Sequence, residues 1–448
     1  MTEYGSPGVP TGGLATTTPQ ELASRAEASG WQRTFASLGA PTYRWFWIGL
    51  LVHFLGFQMD MIARGYLAFD LTGSATALGI VSIAWGMPLL FLSLVGGTLA
   101  DRMEKRNLLL ATQGAMALSA IITAILVQAD LIQIWHMVVL GFFLGVVWSF
   151  AIPARQAMVP ELVSERRLMN ALALNNSAMN TTRIIGPSLA GGLIVVPFFG
   201  VAGVYYLIAV LYAVSALTLL PIPPSGLATA RRHEPMWQGI TTGLRYVASS
   251  PALTVLIGLA CVAIVLGMPY VILLPMFAEE VYDVGAVGLG AMNTVVGVGA
   301  IIGSLFIAYF SAYPHRAALQ LVLGVAFGVG VFLFGGAPTF ALALPALALV
   351  GLTFNGYLTI NNTLIFSHAK RELHGRVMSV YLLTWSLMPL AALPMGALAD
   401  LVGPRPTVAM AGVLVALIIA GAAVLYPAYR QLGVPTAVRA SDLQGSAR

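Results

Sequence analysis

Charge is what this sequence has least of. Only 9% of its 448 residues are Asp, Glu, Lys or Arg, against about 25% in an ordinary soluble domain. That is too little to cover a water-soluble surface of this size. Lysine is scarcer still: Lys105 and Lys370 stand beside twenty arginines. With abundant Ala, Gly, Leu and Val, that bias suits a high-GC bacterial genome. The single cysteine, Cys261, lies in an apolar run, which excludes a disulfide framework or a cysteine-based metal site. The six histidines are dispersed without His-Glu-x-x-His or paired spacing, so neither a metal nor another cofactor is expected. A Gly-x-Ser-x-Gly elbow, a Walker loop and a Cys/His dyad are also missing, which argues against an enzyme and against a self-contained ATP-driven pump. The stretch Gly297 to Gly303 has the wrong spacing for a nucleotide loop and reads as helix packing.

What is present is apolar: 58% of residues are hydrophobic. Disordered chains are poor in such residues, so the reading is an all-α, polytopic integral membrane protein with the lipid bilayer as its surroundings. A helix needs roughly 20 apolar residues to span a bilayer. That window gives six spans near 45–69, 76–100, 107–128, 132–152, 170–195 and 202–221. Six more lie near 252–278, 287–310, 317–336, 339–362, 377–399 and 407–427. Residues 1–42 read as a disordered polar tail without a signal peptide, and 429–448 as a second tail. The Pro- and Arg-containing segment 222–251 separates two six-span bundles, 43–221 and 252–428, and its part Trp237 to Ser249 suits an amphipathic surface helix.

The basic residues give the orientation. With the N-terminus in the cytoplasm, 19 Lys and Arg, Arg155 among them, fall on the cytoplasmic side. Only Arg405 falls opposite, and Arg64 and Arg183 lie inside spans. The positive-inside rule then places both termini in the cytoplasm and calls for an even number of spans. The net charge of +5 therefore reports topology, and no nucleic-acid partner is expected. The halves also echo each other: Glu165-Arg166-Arg167-Leu168-Met169-Asn170 and His374-Gly375-Arg376-Val377-Met378-Ser379 lead into the fifth and eleventh spans, 209 residues apart. Such repeats are typical of secondary transporters, whose site lies between the halves near the midplane.

After the second span comes Gly96-Gly97-Thr98-Leu99-Ala100-Asp101-Arg102-Met103-Glu104-Lys105-Arg106. It resembles the major facilitator superfamily signature between helices two and three, with Glu104 where the family usually has Gly. The fifth span carries Arg183-Ile184-Ile185-Gly186-Pro187-Ser188-Leu189-Ala190-Gly191-Gly192, similar to the antiporter motif Gly-Pro-x-x-Gly-Gly with Ala190 at its first paired glycine. The stretch Val159 to Gly186-Pro187, Leu274-Pro275-Met276-Phe277 and Gly375 to Ser379 resemble one branch, the third drug:proton antiporter family of macrolide and enterobactin exporters. The resemblance covers roughly residues 45–428. It implies a cytoplasmic latch in which Asp101, with Arg102 and Arg106 behind the turn at Gly97, meets the start of the eleventh span near Arg376. It also implies proton-coupled export. Gly186-Pro187 with Gly191 and Gly192 suits either a kink or close helix packing.

Ionisable groups inside spans are costly and functional by default. His53, Phe57, Asp60 and Arg64 recur on one face of the first span; Asn176, Asn180, Arg183 and Pro187 repeat that spacing in the fifth. Asp60 and Arg183 each lie 16 residues beyond an arginine at the span's entry, about 24 Å along the helix. The expectation is one cavity shared by Asp60, Arg64 and Arg183, of charge +1, suited to an anionic or strongly polar group. Asn355, Thr359 and Asn362 supply a facing polar stripe, and Trp385 adds apolar surface. Asp60 is either the proton-coupling carboxylate or a fixed counter-ion to the arginines, with His53 the next proton carrier. Together these readings point to a monomeric exporter of a small amphipathic drug- or siderophore-like molecule in the bacterial cytoplasmic membrane. Protons are the coupling ion. Import, lysophospholipid movement and a non-transporting receptor or scaffold are the alternatives.

Overall fold

The computed structural model describes residues 35–224, 236–310, 313, 315–426 and 429, and of 93–102, 166, 236–240 and 371 the backbone only. Its long helices are α1 (Pro41–Thr72), α2 (Ala75–Arg102), α3 (Lys105–Gln128), α4 (Ile134–Leu162), α5 (Glu165–Ile194) and α6 (Gly200–Leu217). A shorter helix α7 (Met236–Ser249) leads to α8 (Pro251–Val281), α9 (Gly285–Tyr309), α10 (Arg316–Gly336), α11 (Phe340–His368), α12 (His374–Val402) and α13 (Pro404–Leu425).

Local chemistry sets several of these ends. Pro41 and Pro404 occupy first-turn positions, where their missing N–H costs nothing. Gly73 closes α1 at φ +58°, a left-handed conformation that glycine adopts without strain. Helix α8 is irregular, with π-helical turns at Ala263–Gly267 and Phe277–Val281 around Pro269 and Pro275.

Among the described residues, eleven of these thirteen helices are long and apolar enough to cross a membrane. The exception among the twelve expected spans is α5. It has 30 residues, about 45 Å of helix, but Asn175, Asn176, Asn180, Thr181, Thr182 and Arg183 hold its hydropathy down. Eleven of the twelve expected spans thus correspond to helices of membrane-crossing length and composition, and α5 is long enough but too polar. Helix α4 runs past its expected end near 152, through Pro153 and Pro160 to Leu162, and so includes Arg155.

Within the first half, α2 packs on α4, α3 on α6, and α1 on both α5 and α6. The second half repeats part of the pattern: α9 packs on α11 and α10 on α13. The halves meet along two seams, α2 with α12 and α5 with α9. Both are built on small residues that let backbones approach. A Cβ on Gly86 would lie 2.3 Å from Pro389, and one on Gly191 2.4 Å from the Ala286 carbonyl. Ser188 and Thr294 share a 2.6 Å hydrogen bond across the second seam. The start of α2, the end of α12, the end of α5 and the start of α9 all belong to these seams, so both seams lie at the same end of the molecule. Helix α7 packs on the start of α12, where a Cβ on Gly243 would come within 2.7 Å of the Arg376 carbonyl. Arg231 and Arg232 of the linker lie outside the described residues.

Candidate functional site

One face of α1 builds a polar cluster inside the first half. His53 is fully buried, its Nδ1 3.1 Å from Gln113 Oε1 of α3. Its ring lies 5.2 Å from that of Trp148 on α4 and 5.5 Å from Tyr212 on α6. The other ring nitrogen, Nε2, has no hydrogen-bond partner among the described residues. One turn on, Phe57 packs on Trp148 at 4.5 Å and on Trp85 at 6.4 Å. The next turn carries Asp60, 7% exposed, and its carboxylate accepts a hydrogen bond from the Arg64 guanidinium in an i, i+4 ion pair. Ser119 and Thr123 of α3, Gly141 of α4 and Tyr205 and Tyr212 of α6 close a cavity of about 20 Å³ over that pair, room for roughly one water. Arg155 stands at the other end of the cluster, its guanidinium 5.6 Å above the Phe54 ring.

Arg183 is not among the residues lining this cavity. Among the described residues no contact links Arg183 to Asp60 or Arg64, and the ion pairs are Arg64–Asp60 and Lys105–Glu161. The reason is azimuth. Helix α5 packs on α1 through Gly186, whose added Cβ would lie 2.5 Å from the Gln58 Cβ. Gln58 and Asp60 are two residues apart, roughly 200° around the helix, so Asp60 faces away from α5. Arg183 lies instead within electrostatic reach of the Tyr270 phenol on α8, and its carbonyl adjoins Gly297 of α9. No carboxylate among the described residues pairs with it. Asn176 and Asn180 are exposed on the uncovered face of α5.

In the second half, the Asn355 amide donates to the Ala300 carbonyl at 2.7 Å and to the Ser304 hydroxyl of α9. Thr359 donates to the Asn355 carbonyl at 2.8 Å. These two are tied into helix packing, whereas Asn362 keeps a buried, unpartnered Oδ1. Trp385 is half-buried beside Phe354, ring to ring 6.2 Å.

Of the latch residues, the side chains of Gly97, Asp101 and Arg102 lie outside the described ones. Arg106 donates from Nε and Nη2 to the carbonyls of Leu219 and Leu220, at 3.1 and 2.8 Å, holding the end of α6. That is a contact within one half. In the antiporter motif, Gly186 and Gly191 are close-packing positions, the Pro187 carbonyl adjoins Gly290, and Gly192 has open space around its Cα.

Sequence reasoning passed over Gln113, Tyr205, Tyr212 and Asp400, and counted Arg155 only as a cytoplasmic charge. One signal was available: Gln113 and Gln320, both buried on α3 and α10, stand 207 residues apart, close to the repeat spacing of the halves.

The described geometry is a bundle of long helices with charge buried in one half and unbalanced in α5. Comparison with known proteins agrees in kind. The family model described as transmembrane secretion effector matches residues 32–442. The chain is 27% identical to the multidrug efflux pump Tap of Mycolicibacterium fortuitum over 84% of its own length and 93% of Tap. It is 26% identical to the enterobactin exporter EntS of Citrobacter koseri, covering 74% of this chain and 76% of EntS. The crystal structure of the nucleoside transporter NupG superposes with a TM-score of 0.65 at 13% identity, over 85% of this chain and 98% of that one, a likeness of fold.

Proposed function

Because the chain belongs to the transmembrane secretion effector family of major facilitator transporters, we propose that it exports a small amphipathic organic molecule by alternating access, in exchange for protons. Transport, not catalysis, is the family's activity. The observation that carries the mechanism is that the two small-residue seams between the halves lie at the same end. Two seams at one end, with Asn176 and Asn180 on an exposed polar face of α5, suit a molecule whose halves rock about a central site.

With twelve spans and both termini cytoplasmic, the arginine asymmetry sets the end with the seams outside and turns the exposed face to the cytoplasm. Substrate would then enter from the cytoplasm or inner leaflet. Arg183, without a carboxylate partner among the described residues, offers a charge for an anionic group of the substrate, and Trp385 offers an apolar face. Asp60 is the proposed proton carrier. Protonation removes its charge and loosens Arg64, so the pair has two states that differ in the packing of α1 against α3, α4 and α6.

The test is a proteoliposome assay with a trapped pH dye and a panel of catecholate siderophores, macrolides, lipophilic cations and lysophospholipids. Entry of a transported ligand should expel protons and make the lumen alkaline. Lumen acidification would mean symport and import, and ligand uptake without proton movement would end the antiport reading.

A further inference from the structure

The carboxylate of Asp400, at the end of α12, binds the start of α2. Its Oδ1 accepts the Ala75 N–H at 2.7 Å, and its Oδ2 accepts the Thr76 N–H at 2.9 Å. The same Oδ2 accepts the hydroxyls of Ser74 and Thr76, at 2.7 and 2.5 Å. The first N–H groups of a helix have no intrahelical partner and carry the positive end of its dipole. Here they are satisfied from the other half of the chain, 325 residues away. A local cap is also present, since Ser74 Oγ accepts the Ala77 N–H at 3.3 Å. Asp400 therefore adds a bond between halves rather than supplying a missing cap.

The reach depends on Gly396, where a Cβ would lie 2.3 Å from the Ala75 carbonyl. Gly79 against Leu393 and Gly86 against Pro389 continue the same seam. The sequence carries a second, independent observation. Helix α12 ends in Gly396-Ala397-Leu398-Ala399-Asp400, and α2 ends in Gly97-Thr98-Leu99-Ala100-Asp101. Both are Gly-x-Leu-Ala-Asp at a helix end. Because α12 ends where α2 begins, the two helices run antiparallel, and each copy of the motif falls toward the start of the other helix.

We infer that Asp400 is a gate residue of the transport cycle: it clasps α12 to α2 at the end where the seams lie and lets go when that end opens. The repeated motif makes the arrangement reciprocal, with Asp101 at the opposite end. Asp400 is exposed, so water replaces its four bonds on opening and no charge is stranded in lipid. The inference rests on the alternating-access reading above.

The experiment is a pulsed spin-resonance distance measurement on full-length protein in nanodiscs. Labels go on Leu131→Cys and Leu342→Cys in a Cys261→Ser background. Both positions are exposed, at 62% and 55%, in opposite halves at the end with the seams. Asp400→Asn and Asp400→Ala should raise the ratio of long to short distances, roughly ten-fold as in other coupled two-state equilibria. Asp101→Asn should lower it. Unchanged distances in Asp400→Asn overturn the gate, including when Asp400→Ala fails to fold, because Asp400 is then a structural cap. A shift in Asp101→Asn alone removes the gate and leaves alternating access standing. No shift in any variant removes both. If the Asp400 variants shift but an impermeant thiol reagent reaches Leu342→Cys only from the cytoplasm, the gate stands and the orientation proposed above falls.

Discussion

Gly186 of α5 lies against Gln58 of α1, so close that a Cβ on the glycine would stand 2.5 Å from the glutamine's own Cβ. That contact turns Asp60 away from Arg183 and keeps the Asp60–Arg64 pair apart from the Arg183 cation. Gly186→Ala must therefore push α1 and α5 apart, at a cost of about 1–3 kcal/mol. The melting temperature of the purified protein should fall by several degrees. Gly192→Ala is the control, because nothing lies within 4 Å of its added Cβ, and it should melt with the wild type.

The Asp60–Arg64 pair separates structural from functional charge. Asp60→Asn or Arg64→Gln alone leaves the partner charged and buried, which costs about 3–5 kcal/mol. Both single variants should melt well below the wild type. The double variant should recover much of that loss, because neither charge is stranded. It should still bind ligand, yet fail to move protons in the pH-dye assay. Proton exchange equal to wild type in the double variant would reduce Asp60 to a counter-ion.

Arg183 makes a different prediction, since it has no carboxylate partner among the described residues. Thermal stabilisation by anionic ligands such as catecholate siderophores should weaken at least roughly ten-fold in concentration in Arg183→Ala, the scale of a lost charge-assisted hydrogen bond. Stabilisation by neutral macrolides or lipophilic cations should persist. If all ligands lose affinity alike, Arg183 holds the fold and not the substrate.

The apolar runs were legible in the sequence because crossing a bilayer demands them, and they located the helices to within a few residues at most ends. Helix azimuth was not. His53, Phe57, Asp60 and Arg64 share a face by spacing alone, but which helix meets that face depends on where Gln58 finds a small partner. In the sequence Arg155 counts as a cytoplasmic charge just past the span near 132–152, yet α4 runs on through Pro153 to Leu162. In membranes, neighbouring helices and side chains can satisfy the backbone groups a proline frees. Asp400 falls in the short stretch between the spans near 377–399 and 407–427 and drew no reading from the sequence. Only comparison of the two Gly-x-Leu-Ala-Asp helix ends would have singled it out.

Asn355 read as part of a polar stripe facing the substrate, and its contacts assign it a different task. Its amide is held by the Ala300 carbonyl and the Ser304 hydroxyl, both on α9. Gly299 and Gly351 bring α9 and α11 into close contact nearby, with added Cβ atoms at 2.2 Å from the Ala348 carbonyl and 2.1 Å from the Val296 carbonyl. Asn355→Ala should therefore cost about 1–3 kcal/mol by removing two hydrogen bonds to α9, and Asn355→Leu more, since a bulky apolar chain must enter the same seam. Neither should change the rank order of ligands in the thermal panel, because the amide is already spent on α9. A variant that melts normally but reorders the ligands would return Asn355 to the substrate cavity. The same measurement on Asn362→Ala should give the converse result, as its buried Oδ1 has no partner among the described residues and little stability is lost with it.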